Sequence, residues 1–136
     1  MENELAKISS ANTAASNVYK AINSALTELD EEGIDVSGLY VLTCTDGTWA
    51  AQAPKLNDTE SMTTFNKKVK NFFSDIEKIQ AGSAQLAAGA CVAVATAQDS
   101  TYTGTYPGGV VTNETYKDYK DKKTSEALDA AIKKAK

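Results

Sequence analysis

"ELAKISSANTAASNVYKAINSALTELDEEG", residues 4–33, decides the fold. Leu5, Ile8, Ala11, Ala15, Val18, Ile22, Leu26 and Leu29 recur at intervals of three and four, which makes one apolar stripe on a helix. Such a stripe must be covered by the rest of the domain. The opposite side carries Lys7, Ser10, Thr13, Asn17, Lys20, Asn23, Ser24 and Glu28, all small or polar, and Gly33 is the expected stop. Asp30, Glu31 and Glu32 sit at the negative end of the helix dipole, so packing rather than end chemistry must stabilise this helix.

What covers the stripe follows in the sequence. "GLYVLTCTDGTWAAQA", residues 38–53, places two runs of strand formers around Asp46-Gly47, a dipeptide suited to a tight hairpin turn. After Pro54, Asn57 and Glu60 read as a helix start, and Met62, Phe65, Val69, Phe72, Phe73, Ile76 and Ile79 form the stripe of a second helix. That stripe holds every phenylalanine, which marks it as core. Residues 90–97, "ACVAVATA", are a strand, and 100–111, "STYTGTYPGGVV", its antiparallel neighbour. Beyond Thr112 the chain is charged, but Thr124 reads as a cap, and Leu128, Ala131, Ile132 and Ala135 share one side of a short terminal helix. The expected class is α+β: a long N-terminal helix on an antiparallel sheet of about four strands, with a second helix after the first hairpin and a short C-terminal helix, an arrangement in which the other face of the sheet can be solvated. One domain spans residues 1–136, with 1–33 as first helix, 38–112 as sheet plus inserted helix, and 113–136 as a charged, partly helical end.

Composition narrows the function. No apolar run approaches the ~20 residues that cross a bilayer. All 14 basic residues are lysine, histidine is absent and the net charge is -4, which disfavours nucleic acid as a partner. The same absences remove the usual general base and the bidentate anion clamp, so no enzyme, cofactor or metal is expected. Asp30, Glu31, Glu32 and Asp35 lack calcium-loop spacing, and 104–109, "GTYPGG", lacks the Lys-Ser/Thr of a phosphate loop and reads as a turn or bulge at a sheet edge.

Cys44 and Cys91 each fall in an expected strand. Opposed on paired strands they would form a disulfide worth ~4 kcal/mol; otherwise they are two buried thiols acting as small hydrophobes. Trp49, Tyr102 and Tyr106 are candidate surface aromatics for a sugar or protein ligand, against the alternative that such rings pack internally, as Trp49 and Tyr40 would across the hairpin.

"AKISSANTAASNVYKAINSALTELDEEG" resembles the C-terminal half of the long first helix of a type IV pilin or pilin-like protein of the Gram-positive kind, and "GTYPGGVVTNETY" is similar to a segment near the end of such pilins. The resemblance implies a structural subunit of an extracellular pilus or pilus-like filament, acting in adhesion or motility through contacts with other pilin subunits. It further implies a membrane-anchored full-length form, whose apolar anchor precedes the stretch seen here. On that reading Met1 follows the removed anchor, the helix start is a cut rather than a cap, and residues before about Ile8 fray. Ser10, Ala14, Asn17 and Ala21 would then be the face where neighbouring subunits pack. A second architecture fits the same order of elements: a profilin- or roadblock-like cytosolic protein-binding module. A Cys44–Cys91 bond would favour the exported protein, and free thiols the cytosolic one.

Overall fold

Asp46 and Gly47 take φ of 49° and 84°, the two left-handed residues that a two-residue hairpin turn requires. They join β1 (Val41–Thr45) to β2 (Thr48–Ala51), with Cys44 opposite Trp49. The computed structural model describes residues 2–33, 41–51, 59–87, 90–98, 102–106, 110–112, 114–120 and 123–135. With β3 (Ala81–Ala87), β4 (Ala90–Ala97) and β5 (Thr103–Tyr106), the hairpin forms one antiparallel sheet in the order β2-β1-β3-β4-β5. Three α-helices accompany it among the described residues: α1 (Glu2–Glu31), α2 (Thr59–Phe72) and α3 (Thr124–Ala135). The class is α+β, as the sequence pattern implies. Tyr40, Asn57 and residues 107–109 lie outside the described residues.

The central strand, β3, is the one the sequence does not announce. Its residues, AGSAQLA, include no β-branched or aromatic side chain. Their smallness has a cause in the packing. A Cβ on Gly82 would lie 3.1 Å from Cys44 Cβ and 3.2 Å from Trp49 Cη2, so the glycine leaves room for the indole reaching over from β2.

Side-chain alternation along β4 divides the core in two. Val94 packs with Ala84, Leu86 and the apolar stripe of α1, whereas Ala93 and Ala95 pack with Ala127, Leu128 and Ala131 of α3. Helices therefore cover both faces of the sheet, the second where α3 lies over β3, β4 and β5. Ser83 Oγ meets Thr124 Oγ1 at 3.2 Å across that contact, and Thr103 Oγ1 donates to the Tyr119 carbonyl at 2.8 Å.

α2 also differs from the expected stripe. The helix ends at Phe72, Phe73 turns to extended backbone (φ -148°, ψ 90°), and a 3-10 helix spans Ser74–Lys78. This break carries Ile76 and Ile79 into the core, and Phe72, expected inside, is 47% exposed. The interrupted helix is what lets one chain both flank α1 and feed back into β3.

α1, about 45 Å long at 1.5 Å per residue, packs on β4, β5 and α2. It is helical from Glu2 and its first described buried side chain is Ile8. Ala15, Val18, Ile22, Ala25 and Leu29 are fully enclosed, and Gly33 ends the helix with φ +84°. The closest approach is at β5. A Cβ on Gly104 would stand 1.9 Å from the Ala11 carbonyl oxygen and 2.6 Å from the Asn12 nitrogen. Backbone thus meets backbone at this point, and Asn12 fixes the register: its Oδ1 accepts the Thr105 N–H at 3.0 Å and its Nδ2 donates to the Val111 carbonyl at 3.5 Å. Neither partner at Gly104 is a side chain that can rotate away. Gly104→Ala is therefore expected to lower stability by about 3 kcal/mol or more, seen as a lower urea midpoint at unchanged slope; wild-type stability would mean that α1 and β5 do not touch there.

Candidate functional site

The outward side of α1 is an exposed ridge flanked by two grooves. Ser10, Thr13, Asn17, Lys20 and Thr27 are exposed and Ser24 is half-buried, a 3-4-3-4-3 spacing that places them along one seam of the helix. A groove of about 470 Å³, walled by Ile8, Ser16, Thr105 and Tyr106, runs along the β5 side of this ridge. Another of about 240 Å³, walled by Ala14, Phe73, Asp75 and Gln98, runs along the α2 side. Ser9 and Thr13 border both. Two large apolar side chains, Tyr106 at 37% and Phe72 at 47% exposure, belong to the elements on either flank.

The expected subunit-packing face needs a correction of angle. Ser10 and Asn17 are exposed, but Ala14 and Ala21 are buried in the same core cluster as Phe65 and Val69. The cause is α2, which lies beside α1 and pins itself there through Lys68. Its Nζ donates to Glu28 Oε1 at 3.1 Å and to Glu32, and those bonds, Glu32 first, hold the ammonium pKa above its ordinary value. The lysine also offsets part of the acidic charge at the C-terminal end of α1. What α2 leaves open is the adjacent line through Thr13, Asn17 and Lys20.

The aromatic candidates separate. Trp49 is 1% exposed and part of the core, which removes it as a ligand-stacking ring. Tyr102 stacks on Tyr116 at 5.4 Å between centroids, with Lys7 Nζ 5.8 Å from its own ring centre. Tyr106 lies against Tyr19 at 4.3 Å and keeps partial exposure beside the larger groove. Internal packing thus accounts for Trp49, Tyr102 is half-buried, and Tyr106 is the most exposed of the three.

Cys44 and Cys91 are free and buried. Cys44 pairs with Gly82 and Cys91 with Leu86, so they stand on β1 and β4 with β3 between. Four residues along β3 and two strand spacings across it put them about 16 Å apart, whereas a disulfide needs Cα atoms within about 7 Å. Of the two alternatives the strand order excludes the disulfide and leaves two buried thiols, so they do not distinguish an exported protein from a cytosolic one. Burial raises the Cys44 thiol from 9.0 to about 11 and the Cys91 thiol from 9.0 to about 12. Neither is a nucleophile at neutral pH.

Among the described residues no three histidine, cysteine or acidic side chains converge as a metal site, and no helix is long and apolar enough to cross a membrane. Asn12 carries no signal in the sequence, and Gly104, read there as the start of a turn or bulge, lies inside β5, where a glycine marks a close backbone approach. Set against known proteins, the chain matches no family model, no curated protein and no solved structure.

The thiols make a pH test of this packing. Each holds its proton in the folded state at pH values where the unfolded chain has lost it, so above pH 9.0 the native state binds more protons and stability falls as pH rises toward 11 and 12. Below pH 9.0 these two groups contribute no slope. Neither thiol should react with a disulfide reagent at pH 8 until denaturant is added, and Cys44→Ala/Cys91→Ala should flatten the alkaline loss; fast native labelling would contradict their burial.

Proposed function

We propose that the domain is a structural subunit of an extracellular type IV pilus or pilus-like filament, contributing to adhesion or motility by self-assembly and without catalysis. The observation that supports this reading is where the two pilin-like stretches lie. Residues 6–33 and 104–116 are far apart in sequence, yet Ala11 abuts Gly104, Asn12 bonds Thr105 and Val111, and the Tyr19 ring lies tilted against Tyr106. The resemblance therefore falls on one contiguous unit, a long helix lying on an antiparallel sheet, rather than on two unrelated segments.

In this reading α1 works from both sides. Its apolar stripe holds the domain's sheet, and its opposite ridge, Ser10, Thr13, Asn17, Lys20 and Thr27, meets neighbouring copies where low bulk lets helices approach. Tyr106 is the ring best placed for a surface ligand such as a glycan. The buried native thiols permit a direct test with single new cysteines. In surface filaments from cells producing the variants, Asn17→Cys should give subunit dimers with a bismaleimide, and Thr45→Cys on the exposed end of the hairpin should not. The opposite pattern would contradict the ridge, and a protein that stays in the cytosol would favour the profilin- or roadblock-like module.

A further inference from the structure

A cleft of about 390 Å³ opens between the first hairpin, α2 and the 3-10 helix, and it shares no lining residue with the two grooves of α1. Its volume is in the range of small-ligand sites. The α2 wall is Thr63, Asn66, Lys67 and Lys70, whose i, i+3, i+4, i+7 spacing puts them on one face of that helix. The hairpin contributes Asp46 and Thr48, and the 3-10 helix contributes Ile76 and Glu77. Ile76 alone among these is buried, and the other side chains are polar.

The three walls are joined to one another without help from a ligand. Asn66 Oδ1 accepts the Trp49 N–H at 2.8 Å and its Nδ2 donates to the Trp49 carbonyl at 3.1 Å, which fixes α2 to the hairpin. The Asp46 N–H donates to the Gln80 carbonyl at 3.0 Å, and Gly47 lies so close to the 3-10 helix that a Cβ there would stand 2.9 Å from the Ile76 carbonyl oxygen. Lys70 Nζ donates to Glu77 Oε1 at 2.5 Å, which ties α2 to the 3-10 helix and holds the Glu77 carboxyl below its ordinary pKa. A cleft already held on all sides has little ordering left to lose on binding.

The charges left over define the chemistry. Lys70 and Glu77 neutralise each other, whereas Lys67 on α2 and Asp46 on the hairpin are exposed and form no ion pair among the described residues. One cation and one anion therefore remain, on different walls. A net anion would be drawn to Lys67 and repelled by Asp46, and a net cation the reverse, but a molecule with both charges meets an opposite charge on each wall. The cleft is larger than a free amino acid fills, and Thr48 adds an exposed hydroxyl that can bond an amide between the two ends.

We infer that this cleft binds short zwitterionic peptides, with the C-terminal carboxylate held by Lys67 and the N-terminal ammonium by Asp46. The site stands apart from the filament reading, since none of its residues belongs to the α1 ridge.

The test titrates L-alanyl-L-alanine into isotope-labelled protein by heteronuclear NMR, beside the N-acetylated dipeptide, which lacks the ammonium, and the dipeptide amide, which lacks the carboxylate. The free dipeptide is expected to shift the backbone amides of Thr48, Thr63, Lys67 and Glu77 saturably at millimolar concentration. Each blocked peptide should bind about fivefold more weakly, the size of one solvent-accessible charge pair. Lys67→Met keeps an apolar stem without the charge, so it should bind the free dipeptide about fivefold more weakly and the dipeptide amide as wild type does. Asp46→Asn suits the left-handed turn equally well and should weaken the free dipeptide but not the acetylated one. The three peptides are compared on wild type first, so the result does not hang on either variant. No saturable shift in the cleft, equal binding of the three peptides, or variants that weaken free and blocked peptides alike would each overturn the inference.

Discussion

The backbone contact between Ala11 and Gly104 sets the geometry of the domain. An α-helix normally stands off a sheet by the thickness of its side chains, and here one glycine removes that spacing on β5. The enclosed α1 residues that follow this contact, Ala14 and Ala15, are small, and on the other flank of α1, α2 packs with Phe65 and Val69. The outward ridge of α1 is what remains after both neighbours have taken their share of the helix.

This arrangement explains which parts of the fold are legible in sequence. α1 is read correctly because its stripe is long and periodic, and the first hairpin because Asp46-Gly47 has a conformational reason to be there. β4 is read to the residue, since ACVAVATA is apolar on both faces and lies between helical layers. β3 escapes because it is central. Where it is overlaid by Trp49 on one face and by α3 on the other, the strand carries Gly82, Ser83 and Ala84, which are poor strand formers. α2 is misread at its end because Phe72 and Phe73 look alike to a periodicity argument, and only the backbone break at Phe73 decides which of them faces in.

The candidate site was legible in part for the same reason. Ser10 and Asn17 follow from helical periodicity alone, whereas Ala14 and Ala21 depend on which flank α2 occupies, a tertiary fact that one helix cannot report. Cys44 and Cys91 look pairable while the strand order is unknown and become separated once β3 is inserted between β1 and β4. Asn12 carries no sequence pattern at all, because its bonds to Thr105 and Val111 exist only in the juxtaposition of a helix with a strand it does not adjoin in the chain.

A domain organised around one helix, with helices over both faces of its sheet, has helix rather than strand to offer a neighbouring copy in the proposed filament. The most direct test of that proposal is a helical reconstruction of any filaments that cells producing this protein assemble. The account predicts α1 helices gathered toward the filament axis, with the Ser10–Thr27 ridge against adjacent subunits and β2 unpaired. First helices lying apart, or subunits joined by continuation of the sheet, would contradict it.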